Sequence, residues 1–163
     1  MRGGGALPIV SCMTSAEPGT RPLRESIRVL LVEDHQHVLW GLEKLIDGEW
    51  PRLQVSATAS TLEQAAEALR RRDSDVVVLD VFLGAHNSLE QLAALAVASG
   101  AALLVHTGSR DPQLHRRARE CGAFAVVLKE EPAEVLLKEI ERADAARRGA
   151  DSAGAIKAAV EGR

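Results

Sequence analysis

The chain has 163 residues, enough for one hydrophobic core that folds without disulfides or a structural metal. A net charge of -3, with acidic and basic residues mixed along the sequence, excludes the sustained positive field of a nucleic-acid-binding surface. No apolar run reaches transmembrane length, Met1 to Val10 is too short and too broken by Pro8 for a signal-peptide core, and Cys12 and Cys121 have no metal-site spacing, so a reduced, cytoplasmic chain is expected.

Residues 1–26 carry three glycines at 3 to 5 and three prolines and show neither helical nor strand periodicity, which predicts a flexible extension; Met13 is an alternative natural start. From Ile27 the pattern turns to IRVLLV, an aliphatic run of strand length that suits a strand buried on both faces of a parallel sheet. Val38, Leu39, Leu42, Leu45 and Ile46 then recur at helical spacing, with Gly48 as the stop, and a second strand follows at 53–59. Ser60 and Glu63 read as a capping box that opens a helix to about Arg72.

Residues 75–79, DVVVL, form the third strand, and Asn87 or Ser88 caps a helix that runs to about Ser99. Gly100 precedes the strand 101–105, and Asp111 with Pro112 opens the fourth helix. A fifth strand at 123–128 and a fifth helix from Pro132 to about Ala146 complete the alternation, leaving 147–163 as a C-terminal tail or linker with a short possible helix at 155–160. Five strand and helix pairs in strict alternation predict a doubly wound α/β domain over residues 27–146, a five-stranded parallel sheet between two helical layers. Ligand sites in such folds lie at the carboxyl ends of the strands.

The polar residues that meet those ends are Glu33 and Asp34 after the first strand, Asp80 after the third, Thr107 after the fourth and Lys129 after the fifth. Carboxylates crowded at one rim repel one another unless a cation neutralises them, and a hard divalent ion such as Mg2+, which keeps much of its hydration, suits an all-oxygen site. An ionised carboxylate, here Asp80, can attack phosphorus when the charge of the transferring group is stabilised. Lys129 offers a flexible point charge for one phosphoryl oxygen and the Thr107 hydroxyl a hydrogen bond to another.

The runs LLVEDH at 30–35, VVVLDVFLG at 76–84, LVHTGS at 104–109 and VVLKEEP at 126–132, in this order and each at a strand end, resemble the response-regulator receiver domain of two-component systems, over about Ile27 to Ala146. The resemblance implies a CheY-like, flavodoxin-like (βα)5 fold. It also implies that Asp80 is the phosphoacceptor, Thr107 the switch hydroxyl and Lys129 the phosphate-pairing lysine. The metal ligands for Mg2+ would be Asp34, Glu33 through water, Asp80 and the backbone carbonyl of Phe82. The implied partners are a sensor histidine kinase or phosphotransfer protein and a downstream protein, with homodimerisation a further option and no direct contact to nucleic acid or membrane.

The VEDH and KEEP segments look most like the NarL-type subfamily, whose members usually carry a helix-turn-helix domain for which this chain has no room. Output surfaces in receivers use the fourth helix, fifth strand and fifth helix, or the first and fifth helices. Two departures stand out. Gly84, followed by AHNS, stands four residues after Asp80 where a proline is usual, and Val126 stands where an aromatic residue commonly swings inward, so coupling is expected through loop and helix displacement.

Other residues have plainer readings. His35 and His37 are expected at the surface, His106 on the opposite strand face from Thr107, and the basic stretches 70–72 and 115–119 on solvated helix faces. Trp40 is expected to pack in the core. Slow autophosphorylation and autodephosphorylation are the most that enzyme chemistry would amount to. An alternative of another class is a phosphorylation-independent scaffold that binds partners or dimerises. An aspartyl phosphatase is set aside because the second acid it needs, two residues after the nucleophile, is Phe82.

Overall fold

The computed structural model describes residues 26–83, 86–87 and 89–161, with side chains described up to Ala153. Residues 1–25 of the expected N-terminal extension, residues 84, 85 and 88 of the loop departure, and the Asn87 or Ser88 cap side chain lie outside the described residues. Parallel strands β1 (Ile27–Val32), β2 (Leu53–Ala59), β3 (Val76–Leu79), β6 (Ala102–Thr107) and β7 (Ala125–Leu128) form one sheet in the order β2-β1-β3-β6-β7. A two-residue antiparallel pair, β4 (Phe82–Leu83) with β5 (His86–Asn87), lies between β3 and α3 and was not expected from the sequence.

Why β1 is apolar over 29–32 and β3 over 76–79 is visible in their two faces. Leu30, Val32, Val77, Leu79 and Val105 point to one side, where they pack on α2 (Leu62–Arg70), α3 (Leu89–Ser99) and α4 (Pro112–Glu120) through Leu69, Leu92 and Ala118. Val29, Leu31, Val76, Val78 and Leu104 point to the other side, against Leu39, Leu42 and Ile46 of α1 (Gln36–Asp47) and Leu136, Ile140 and Ala143 of α5 (Ala133–Glu161). Period-two alternation with both faces covered gives the three-layer α/β sandwich.

Local signals explain most boundaries. At α4, Asp111 Oδ1 accepts a hydrogen bond from Gln113 N at 2.9 Å, with Pro112 in the first turn where no amide is needed. Asp111→Ala is expected to lower stability by about 1 kcal/mol, the usual worth of such a cap, measured by urea unfolding. At α2 the cap falls one residue later than the sequence suggested. Thr61 Oγ1 accepts from Gln64 N, and Gln64 Oε1 reaches back to the amide and hydroxyl of Ser60, so the box is Thr61 with Gln64 in place of Ser60 with Glu63.

Three further differences have physical causes. Strand β6 reaches Thr107, two residues beyond the expected end, because Thr107 still pairs with Leu128 of β7. Trp40 is exposed, not in the core: it sits one residue, about 100° of helix turn, from Leu39, and so off the Leu39, Leu42 and Ile46 stripe. Helix α5 continues through the position where a tail was expected to begin, up to Glu161.

What holds that continuation is a buried ionic cluster at the amino ends of the strands. Asp75, 2% exposed, accepts hydrogen bonds from the backbone N, Nε and Nη2 of Arg28 and from Nη2 of Arg147, and Arg147 also pairs with Asp144. Arg148 Nε reaches the other oxygen of Asp144 at 2.6 Å. Among the described residues, no helix is long and apolar enough to cross a membrane.

Candidate functional site

At the opposite rim, the carboxyl ends of β1, β3, β6 and β7 bring together residues far apart in the chain. The pairing of Val32 with Leu79 sets Glu33 beside Asp80, and the bond from Asp80 N to Val32 O, 2.9 Å, fixes that neighbourhood. Thr107 ends β6, and its carbonyl accepts from Lys129 N at 2.9 Å, so Lys129 leaves β7 level with it. A parallel sheet with in-register carboxyl ends is thus what concentrates these polar groups.

The lysine lies at the centre. Its Nζ donates to Glu33 Oε2 at 2.6 Å and to Asp80 Oδ2 at 2.8 Å, although Glu33 is 1% and Asp80 5% exposed. Burial works against the charge of Lys129, but the hydrogen bonds to Asp80 and Glu33 outweigh it and hold its pKa above the ordinary lysine value. The second oxygen of Asp80, Oδ1, accepts from Phe82 N at 3.3 Å, which orients the carboxylate, while the Phe82 ring itself is exposed. Thr107 is fully buried, and its Oγ1 accepts from Ser109 N at 3.2 Å, so the hydroxyl keeps its hydrogen for a second partner.

The sequence named Glu33, Asp34, Asp80, Thr107, Lys129 and the Phe82 carbonyl. Glu33, Asp80 and Lys129 are in direct contact, Asp34 adjoins them at the start of the same loop, and Thr107 and Phe82 are tied to the same strand ends. One residue given no role belongs with them. His35 Nδ1 lies 2.9 Å from Glu33 Oε1 and 2.9 Å from Asp34 Oδ1. Its place directly after the acidic pair was the available signal.

Glu33, Asp34, His35 and Asp80 each offer a ligand atom, all within 4.8 Å of one another. Three carboxylates are a donor set that fits Mg2+, a hard ion satisfied by few protein oxygens. Glu33, Asp34 and Asp80 would hold it.

His106 faces away from Thr107, as strand alternation requires, but it is buried on that side and its Nδ1 has no hydrogen-bond partner among the described residues. Burial lowers its pKa, as does the charge of Lys129, and the carboxylates of Glu33, Asp80 and Glu131 partly offset this. Val126, on β7, is half-buried against the face that carries α2, α3 and α4.

Residues 29–141 match the family model described as the response regulator receiver domain. Protein-glutamate methylesterase/protein-glutamine glutaminase 1 of Rhodospirillum rubrum is 35% identical over 80 residues, which are 49% of this chain and 20% of that protein. The transcriptional regulatory protein DesR of Bacillus subtilis is 26% identical over 114 residues, 70% of this chain and 56% of that protein. The chain therefore matches about a fifth of the first relative and about half of the second. The crystal structure of a two-component response regulator of the LuxR family from Aurantimonas sp. superposes with a TM-score of 0.68 at 29% identity, covering 75% of this chain and 87% of that one.

Proposed function

The chain belongs to the response regulator receiver domain family, and from that premise we propose that it accepts a phosphoryl group on Asp80 from a histidine kinase or phosphotransfer protein and signals by protein contact. The observation that carries the proposal is the triad of contacts at the strand ends. A buried aspartate, oriented by the Phe82 amide, shares one lysine ammonium with a buried glutamate.

In the proposed step an oxygen of Asp80 forms a bond to the donor's phosphorus, the bond from phosphorus to the donor's nitrogen or oxygen breaks, and the donor leaves with that electron pair. Lys129 balances the charge of the transferred group from one side, and the Thr107 hydroxyl donates a hydrogen bond to a phosphoryl oxygen from another. Bound Mg2+ supplies the positive charge that lets three carboxylates and a phosphoryl group share one rim. Glu33, Asp34 and Asp80 would hold it, and the Phe82 carbonyl would be a further ligand.

The receiver's response is a shift between two conformations biased by the new charge. Because Val126 has no ring to swing, we place the response in movement of the Thr107 loop and the adjacent helices. The setting would be the cytoplasm, where such kinases present their phosphoryl group, and the partner a second protein or a second copy of this chain.

Incubating the full chain with acetyl phosphate and Mg2+, followed by intact-mass analysis, tests the reading. A single phosphoryl adduct is expected, absent in Asp80→Asn and absent without metal. A folded protein that binds Mg2+ yet gains no adduct would instead support a scaffold that works without phosphorylation.

A further inference from the structure

We propose that His35 is an additional ligand of the acidic cluster, giving it an imidazole nitrogen and a preference for Mn2+ and later first-row divalent ions over Mg2+. This deepens the metal reading above and rests on it.

The position of His35 is unusual for its place in the chain. It stands at the N-cap of α1, where a side-chain oxygen normally satisfies the first free amides, yet its side chain makes no capping hydrogen bond. With extended backbone angles, φ -84° and ψ 105°, it turns its ring back to the cluster instead. Nδ1 then lies 2.9 Å from Glu33 Oε1 and 2.9 Å from Asp34 Oδ1, and a ring nitrogen lies within 4.8 Å of a carboxylate oxygen of Asp80.

The contacts divide the cluster into two sides. Lys129 occupies Glu33 Oε2 and Asp80 Oδ2, whereas His35 addresses the other Glu33 oxygen together with Asp34. A cation on the His35 side does not have to displace the ammonium from the Lys129 side. The tautomer protonated at Nδ1 donates to the carboxylates, whereas the tautomer protonated at Nε2 directs the Nδ1 lone pair to the same place, where it can bind a cation. The ring is 67% exposed, so the ion reaches it from solvent.

The chemistry sets the direction of the selectivity. Mg2+ gains little from an imidazole, while nitrogen ligation strengthens binding along the series from Mn2+ towards Cu2+. A receiver with His35 would therefore load Mn2+ at concentrations where a pure carboxylate site takes Mg2+.

The test uses the full chain and the metals alone. Titration calorimetry gives Kd for Mg2+, Mn2+ and Co2+, and pulsed electron paramagnetic resonance of bound Mn2+ detects a directly coordinated imidazole nitrogen. In the wild type the nitrogen signature is expected. In His35→Ala it is lost, and the Mn2+ to Mg2+ preference falls by about tenfold or more, the scale on which losing one metal-site partner weakens a site. Mn2+ that binds, depends on Asp34 in an Asp34→Asn variant and shows no nitrogen signature would overturn the role of His35 and leave the metal site standing. No binding of Mg2+ or Mn2+ by the wild type would overturn both readings.

Discussion

Replacing Lys129 with methionine should slow phosphoryl transfer from acetyl phosphate to Asp80 by about a hundredfold or more, the loss that follows removal of one preorganised donor to a developing oxyanion. Methionine retains most of the volume of the lysine stem, so the comparison isolates charge. The same change leaves Glu33 and Asp80, both buried, without the ammonium that touches them, and the metal-free protein should lose stability in urea. Added Mg2+ should restore part of that stability without restoring the rate. A variant that takes up the phosphoryl group at the wild-type rate would reduce Lys129 to a structural ion-pair partner. The time course of the adduct by intact mass separates these outcomes.

The second large effect belongs to the other rim. Asp75→Ala should cost about 3–5 kcal/mol of folding stability, because it takes from Arg28, 16% exposed, its buried partner and from Arg147, 13% exposed, one of its two buried partners, leaving it Asp144. The pH dependence carries its own signature. Burial alone would raise the pKa of Asp75, but the hydrogen bonds and charge of Arg28, with the charge of Arg147, outweigh it and hold it below the ordinary aspartate value.

A carboxylate with a depressed folded pKa stabilises the native state above its unfolded value and loses that contribution as pH falls through the folded one. Wild-type stability should therefore fall on acidification below the ordinary aspartate range, and this component should be missing from the variant. Urea midpoints across the acid range measure both. Equal slopes in the two proteins would mean that the Arg28 and Arg147 contacts are not maintained in solution.

Much of the fold was legible because the decisive residues act locally. The wholly apolar runs at 29–32 and 76–79 can only be strands covered on both faces, and Asp111 with Pro112 marks a helix start on chemistry alone. The acidic rim followed from one general rule about strand ends, which is why Glu33, Asp80 and Lys129 could be grouped before their contacts were known.

What escaped depends on tertiary neighbours. The run 147–161 is rich in glycine and alanine, and its sequence announced no more than a short helix at 155–160; the continuity with the preceding turns depends on Arg147, which is held by Asp75, 72 residues earlier. Trp40 drew a core assignment from its size, but the face of α1 is chosen by Leu39, Leu42 and Ile46. Which way the His35 ring turns is decided by two carboxylates and the absence of a cap, and the first of these is a matter of geometry that spacing does not encode.

The placement of the aromatic residues has a practical consequence for anyone who follows this protein in solution. Trp40 and Trp50 are 63% and 65% exposed, Phe82 and Phe124 are 47% and 38% exposed, and the interior is filled by leucine, isoleucine, valine and alanine. Both indoles already sit in water in the native state, so their emission will scarcely shift to the red on denaturation, and tryptophan fluorescence will be nearly blind to loss of the core. The same exposure makes the two indoles sensitive to a binding partner that covers α1 or the turn after it. Fluorescence will report who docks on this protein, and circular dichroism will be needed to report whether it is folded.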